Sequence, residues 1–295
     1  YEFWGRRMTW MGRLAWAEEP RYLRLPFFSS VLDGCVERGR DILCKDAPYY
    51  FSFCNDRAVV DNADCLMAIK KLVFEDEELT MDELVAALDS DFAGERGGEI
   101  RHMCLAAPKY GNDIDEVDYL AQQLGDFGGA VFGAERTPSG KPFLVDRPGV
   151  SWHYMAGKMV GALPNGRKAW EPLNDATLSP MRGQDKKGPT AVMRSVLKAG
   201  LNESLYNVLN QKFSLTAMQS PESMKKLGDL TETYLRNGGL HVQYNVLDTQ
   251  ALRDAQVHPE MHKDLVVRVG GFSAYFVQLT REVQDDIIAR TEQGL

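Results

Sequence analysis

The sequence predicts an α/β fold, in which amphipathic helices alternate with short strands along 295 residues. Helix-start signals followed by apolar stripes recur through the chain, and runs of alternating apolar and polar residues lie between them. No repeat, low-complexity tract or long linker interrupts this order. Because 44% of the residues are hydrophobic, the chain is large enough for one large domain or two smaller ones.

Composition excludes several classes of function. The net charge of −8 argues against a nucleic-acid-binding or basic membrane-binding surface, and no apolar run approaches the ~20 residues that span a bilayer. The odd number of cysteines and the lack of CxxC spacing argue against a disulfide scaffold or a zinc site. No secretory signal is visible and the cysteines fit a reducing cytoplasm, so we expect a cytoplasmic protein. The five histidines show no HExxH-type pattern, so we expect no metal. The cysteines are Cys35, Cys44, Cys54, Cys65 and Cys104.

The first predicted element is an aromatic-rich helix over residues 1–19, which Pro20 should end. The chain opens at Tyr1 in the middle of this amphipathic pattern. We therefore expect the sequence to be a piece of a longer protein that continues before Tyr1.

The central part of the chain alternates strand and helix signals. The aromatic run at 49–53 predicts a strand, and Thr80 with Glu83 has the spacing of a capping box. Residues 128–149 are rich in glycine and proline, which predicts irregular structure. Helices are predicted at residues 63–74, 81–88, 115–124 and 192–198.

A strong helix start at Ser220-Pro221 opens a helix that should end at the Asn-Gly-Gly run 237–239. The following segment, 240–247, alternates cleanly between apolar and polar residues. Its polar side carries His241, Gln243 and Asn245. That side faces either a wet interior site in a barrel or the solvent.

The C-terminal part begins with an apolar strand over residues 265–269, which runs into Gly270, Gly271 and Phe272. A strand that ends in a Gly-Gly turn is common, so the pair alone carries little information. A closing helix follows over residues 280–291, with Thr280 as its cap.

The run from Val267 to Phe276 resembles the radical-bearing loop of the glycyl radical enzymes, and blocks upstream resemble the pyruvate formate-lyase-like superfamily in the family's order. The resemblance implies a ten-stranded α/β barrel, of which residues 1–239 form part of the second half. Residues 240–295 would be the glycyl radical domain. The blocks are Pro108–Asp113, Gly161–Arg167, Gly188–Ala191, Asn210–Phe213 and His241–Val246.

The resemblance implies an organic radical on Gly271 as a post-translational modification, with no bound cofactor. A radical between an amide nitrogen and a carbonyl is stabilised only if the carbon can become planar, and a Cβ would crowd that form. Arg268 is expected to tie the loop to a carboxylate or to backbone carbonyls. The implied support residues are Arg268, Gly270, Phe272 and Ser273, and the implied active-site wall comprises His241, Gln243, Asn245, Tyr49 and Tyr50.

The family also needs a cysteine whose thiyl radical attacks the substrate. Cys35 stands in a Gly-Cys-Val-Glu segment like that of the family's dehydratases, but its neighbours resemble a later, non-catalytic helix. Cys35 also precedes Gly271 by only 236 residues (271 − 35). We therefore expect the thiyl cysteine to lie outside this chain, which would then be inactive alone.

The resemblance implies a radical S-adenosylmethionine activating enzyme, a small organic substrate and a homo-oligomer as partners, without nucleic acid or membrane. Tyr49 and Tyr50 replace a Gly-rich segment of many relatives and predict an apolar pocket. This favours the benzylsuccinate and alkylsuccinate synthase branch, which adds hydrocarbons to fumarate. Decarboxylase, dehydratase and formate C-acetyltransferase chemistry are alternatives, as is a stand-alone glycyl radical subunit that repairs a damaged enzyme.

Overall fold

The computed structural model describes residues 2–44, 52–202 and 204–294, in two compact units that are treated separately. The first unit comprises residues 1–56 and 125–146, and the second comprises residues 57–124 and 147–295. Tyr49 and Tyr50, predicted for the active-site wall, lie outside the described residues. The domain boundary expected between residues 239 and 240 stays a prediction.

Helices and strands alternate along the described chain, in keeping with the predicted α/β class. The helices are α1 (Glu2–Tyr22), α2 (Pro26–Ser30), α3 (Cys35–Arg38), α4 (Val59–Ile69), α5 (Met81–Asp89), α6 (Gly97–Ala106), α7 (Asp115–Gly133), α8 (Trp152–Gly157), α9 (Pro189–Ala199), α10 (Pro221–Arg236), α11 (Thr249–Val257) and α12 (Arg281–Ala289). The strands are β1 (Ser52–Asn55), β2 (Phe143–Asp146), β3 (Asn210–Ser214), β4 (Gln243–Leu247), β5 (Val266–Arg268), β6 (Ser273–Tyr275) and β7 (Glu292–Gln293). None of the helices in the described ranges is long and apolar enough to cross a membrane.

In the first unit, α1 continues through Pro20, so the break predicted there is wrong. Pro20 removes only its own amide from the helix ladder, and it stands in the last turn, where the loss of one bond is tolerated. The small core of this unit forms where the ring of Trp16 stacks on Phe143, with their centroids 5.1 Å apart.

The irregular structure predicted for residues 128–149 is also wrong in part, because α7 runs on to Gly133 and β2 follows it. Val131 and Phe132 are buried on this last stretch of α7. Their packing outweighs the low helix propensity of the neighbouring glycines. Strand β2 pairs in parallel with β1, from Ser52 opposite Phe143 to Asn55 opposite Asp146.

The second unit is held by a large apolar cluster contributed by α4, α7, α9 and α10. Its buried members include Met67, Val117, Val196 and Tyr234. The helix starts predicted at Thr80 and Ser220 are confirmed, because both side chains accept the backbone N–H three residues on. Thr280 stands at the N-cap of α12 as predicted, although its side chain makes no capping hydrogen bond to the backbone.

Two strand systems of the second unit position the candidate site. One is a parallel sheet in the order β4-β3-β7, and the other is the antiparallel pair β5-β6. Val267 and Val269 anchor the pair in a third apolar cluster with Leu252, Phe276 and Ile287. The segment between β5 and β6 is therefore a tight loop on a packed base.

Candidate functional site

The candidate site is the loop that joins β5 to β6. The two strands pair with Arg268 opposite Ser273, and the amide of Val269 donates to the carbonyl of Phe272 at 2.9 Å. This bond closes a four-residue connection with Gly270 and Gly271 at its centre. The sequence pattern thus places both glycines correctly, at the tip of a hairpin.

Gly270 is buried against the backbone of residue 150. Its carbonyl accepts from the Val150 amide at 2.5 Å, and a Cβ at this position would lie 2.5 Å from the Val150 carbonyl oxygen. A contact that short with fixed backbone cannot be relieved by a side-chain rotation. Gly270 therefore lets two segments of main chain touch.

Gly271 has φ of +90°, a conformation that side-chain-bearing residues rarely adopt, and it is half-buried. A Cβ built on it would lie 2.7 Å from the hydroxyl oxygen of Tyr206. Its neighbours Phe272 and Ser273 are exposed. The backbone angle thus favours glycine at position 271, and a side chain there would also have to displace the Tyr206 ring.

Within the described part of the chain, Arg268 binds neither a carboxylate nor a backbone carbonyl, so the contact expected for it is wrong. Its Nε donates to Oε1 of Gln243 at 2.8 Å, and its Nη1 donates to the hydroxyl of Ser273 at 2.9 Å. The reason is the direction of the side chain, which crosses towards β4, where the amide of Gln243 is the near acceptor.

Gln243 and Asn245 are buried and face the hairpin, so the solvent-facing alternative is wrong for these two residues. Asn245 accepts from the Arg268 amide at 2.8 Å and donates to the Arg268 carbonyl at 2.9 Å. His241 precedes β4, and its Nδ1 lies 3.2 Å from the carbonyl of Asn207. The polar face of this segment thus supports the base of the loop.

Arg290, which the sequence analysis missed, makes the contacts expected of Arg268. It follows the end of α12, is only 7% exposed, and donates to the carbonyls of Arg268 and Val269 at 3.0 and 2.7 Å. Asn210 donates to the Val269 carbonyl at 2.9 Å and to the Asp175 carboxylate at 2.7 Å. Two polar side chains from distant segments therefore fix the residue that precedes the glycines.

The charges beneath the loop are balanced in pairs. Nη2 of Arg290 lies 3.2 Å from Asp286 and 3.4 Å from Asp175, and Arg182 also binds Asp286. Burial would raise the pKa of Asp286, but Arg182, His153 and Arg290 lower it well below its usual range. Asp286 thus stays ionised and holds both arginines near neutral pH.

The sequence contains only weak signals for the site residues that were not predicted. Asp286 and Arg290 have the i,i+4 spacing of a helical ion pair, which is usually an exposed surface feature. Asn210 belongs to one of the blocks that carried the resemblance, without an assigned role. Tyr206 had no sequence signal, because its meeting with Gly271 depends on tertiary structure.

The cysteines of the described chain are free, and several are inert by environment. Burial raises the pKa of the Cys54 and Cys104 thiols to about 11 and raises that of Cys65 further. Cys35 is buried in α3 of the first unit. Among the described residues, no three His, Cys, Asp or Glu side chains come together as a metal site.

Comparison with known families agrees with this geometry. Residues 13–157 match the pyruvate formate lyase-like model, and residues 175–277, which include the hairpin, match the glycine radical model. The chain therefore belongs to the glycyl radical enzymes of the pyruvate formate-lyase-like superfamily. In this family the radical is a modification of a glycine in the chain and not a bound cofactor.

Particular relatives are similar over most of the chain. It is 34% identical to trans-4-hydroxy-L-proline dehydratase of Clostridioides difficile, over 92% of this chain and 34% of that protein. It is 36% identical to isethionate sulfite-lyase of Nitratidesulfovibrio vulgaris, over 92% of this chain and 33% of that protein.

The fold matches that of a solved glycyl radical enzyme. The glycerol-bound B12-independent glycerol dehydratase of Clostridium butyricum superposes with a TM-score of 0.91 at 35% identity, covering all of this chain and 37% of the other. The predicted fold class is thereby confirmed. The chain spans about a third of the length of these relatives.

Proposed function

We propose that Gly271 stores an organic radical, which the protein containing this chain uses to cleave a bond in a small organic substrate. The observation that carries this is the state of Gly271 itself. It combines a φ of +90° with a hairpin tip whose base is held by Asn210, Asn245 and Arg290. A radical centre needs both the freedom to become planar and a fixed position relative to its reaction partner.

The proposed sequence of steps starts with an activating enzyme that contains an iron–sulfur cluster and uses S-adenosylmethionine. It removes one hydrogen atom from the Cα of Gly271. The glycyl radical then takes a hydrogen atom from a cysteine thiol, and the thiyl radical takes one from the substrate. After the substrate radical has reacted, the same thiol returns its hydrogen atom to the product radical, and Gly271 regains the radical.

The cysteine of this sequence is proposed to lie outside the 295 residues. Cys65 and Cys104 share the unit of Gly271, but neither is among the nearest neighbours of its Cβ position, which are Tyr206 and Val208. The cavity beside Asn210 and Arg290 has a volume of about 20 Å³, room for about one water molecule. We therefore propose that this chain alone does not turn over substrate.

For the reaction type we propose an elimination, in which a leaving group departs from the carbon next to the substrate radical. The dehydratases and the sulfite-lyase named above are enzymes of this kind by name. None of these three relatives has a name that implies addition to fumarate, so the hydrocarbon-adding branch has no support from them. The stand-alone repair subunit is the weaker alternative, because the match to the lyase-like model covers residues 13–157, upstream of the glycine radical match.

The test is anaerobic electron paramagnetic resonance of the complete protein after treatment with its activating enzyme. We expect a glycyl doublet that Gly271→Ala abolishes. Gly98→Ala is the matched control, because Gly98 is exposed on α6 with open space at its Cβ position. A doublet that survives Gly271→Ala, or its absence from the unaltered protein, would contradict the proposal.

Oxygen offers a second readout that needs no substrate. Dioxygen adds to a glycyl radical at Cα, and the resulting peroxyl species breaks the backbone at that residue. Activated protein exposed to air should therefore lose a piece that begins just after Gly271. Mass spectrometry of the denatured protein would detect this piece, and an intact chain would count against the assignment.

A further inference from the structure

Tyr206 approaches the Cα of Gly271 from one side. A Cβ built on Gly271 in the direction of an L side chain would lie 2.7 Å from the Tyr206 hydroxyl oxygen and 3.8 Å from its Cζ. In glycine, the pro-S hydrogen occupies this direction. The phenol of Tyr206 therefore lies over the pro-S hydrogen of Gly271.

The main chain of Tyr206 is fixed, whereas its ring is partly exposed. Its carbonyl accepts from the Arg147 amide at 2.9 Å and from the Ser204 hydroxyl at 3.0 Å. The ring centroid lies 6.0 Å from that of His241, and 36% of the residue remains exposed. A side chain held in this way can cover its neighbour and can also turn away into open space.

The next neighbour of this Cβ position is much less intrusive. Val208 comes within 3.9 Å of the same Cβ position through its Cγ2, an ordinary van der Waals contact. Tyr206 is thus the group that restricts the space over this face of Gly271.

We propose that Tyr206 is a positioning residue for the radical on Gly271, and that its phenol covers the pro-S face of the Cα and slows the approach of dioxygen. The inference rests on the proposed radical role of Gly271 and adds a protecting residue to it. A glycyl radical is planar at Cα, so a reagent can approach from either face, and a phenol over one face closes that route.

The test compares Tyr206→Ala and Tyr206→Phe with the unaltered complete protein after anaerobic activation. Tyr206→Ala opens the face, whereas Tyr206→Phe removes only the nearest atom and should keep the fold if the alanine variant fails. Tyr119→Ala is the control, because it removes another exposed tyrosine ring, from α7. Decay of the glycyl doublet after a limited pulse of oxygen should be several-fold faster in Tyr206→Ala, less accelerated in Tyr206→Phe, and unchanged in Tyr119→Ala.

A spectroscopic signature separates this role from a merely structural one. Electron–nuclear double resonance of the activated protein should show an exchangeable proton coupled to the radical that is absent in Tyr206→Phe. A doublet with unchanged oxygen decay and unchanged proton couplings in the Tyr206 variants would overturn this inference alone. If the unaltered protein forms no glycyl doublet at all, the proposed function fails, and this inference fails with it.

Discussion

Replacing Arg290 by methionine should loosen the hairpin that carries Gly270 and Gly271 while leaving most of the molecule intact. Arg290 donates to the carbonyls of Arg268 and Val269, and its loss leaves the buried Asp175 without its guanidinium partner. Breaking a buried ion pair in this way costs about 3–5 kcal/mol. Asp286 is affected less, because Arg182 remains bound to it.

The expected loss of local stability determines how much faster the backbone amides of the hairpin exchange. The Val269 amide is protected by its bond to the Phe272 carbonyl, so it reports opening of the hairpin. A loss of about 3–5 kcal/mol of local stability accelerates exchange by roughly two to three and a half orders of magnitude, at a factor of ten per 1.4 kcal/mol. Hydrogen–deuterium exchange with mass spectrometry on the peptide that spans residues 265–276 measures this.

The matched control is Arg281→Met, at the other end of α12. Arg281 is exposed and pairs with Asp285 at 3.3 Å, an i,i+4 surface contact worth about 0.3–0.5 kcal/mol. Equal rates of amide exchange at the hairpin in Arg290→Met and Arg281→Met would refute the anchoring role of Arg290. Arg290→Lys should fall between them, because an ammonium cannot reproduce the forked contact to two carbonyls.

Two further substitutions test other parts of the second unit. Gly270→Ala should destabilise the protein by about 1–3 kcal/mol and lower the yield of radical, because the added methyl group meets the Val150 carbonyl oxygen. Thermal unfolding measures the loss of stability, and the intensity of the glycyl doublet measures the yield of radical. Burial raises the pKa of Asp61 to about 6, so the stability that its protonated form contributes is complete below about pH 4 and is lost as the pH rises through 6. Asp61→Asn keeps an acceptor for the Asn174 amide and should gain about 2–3 kcal/mol relative to the unaltered protein between pH 4 and 7, which unfolding midpoints measured at both pH values would show.

Local patterns predicted local structure well. The strand before Gly270, the turn at Gly271 and the helix after Thr280 follow from apolar runs and turn residues within a short window. The helix start at Ser220 was equally predictable, because its capping hydrogen bonds form within four residues of the chain. What failed locally was the treatment of residues 128–133 as irregular, since the burial of Val131 and Phe132 depends on partners elsewhere in the chain.

Side-chain partners over long distances were not predictable from the pattern. Arg268 and Arg290 are both basic residues near the loop, and the sequence alone favoured the nearer one as its anchor. The structure assigns carbonyl binding to Arg290, because α12 folds back beneath the hairpin, and leaves Arg268 to Gln243 and Ser273. The face of His241, Gln243 and Asn245 was recognised as one polar surface, but which group it contacts required the fold.

If oxygen cleaves the activated protein at Gly271 as proposed, the anchoring by Arg290 has a further consequence. Cleavage at Gly271 leaves Arg268 and Val269 on the long fragment, whereas Arg290 and Gln293 belong to the short one. The guanidinium still bridges the cut, and Gln293 still donates to the Asp185 carboxylate at 2.7 Å. A nicked molecule should therefore migrate as one species on a native gel and separate only in denaturant. Any replacement for the severed tail must first displace the old one from these same contacts.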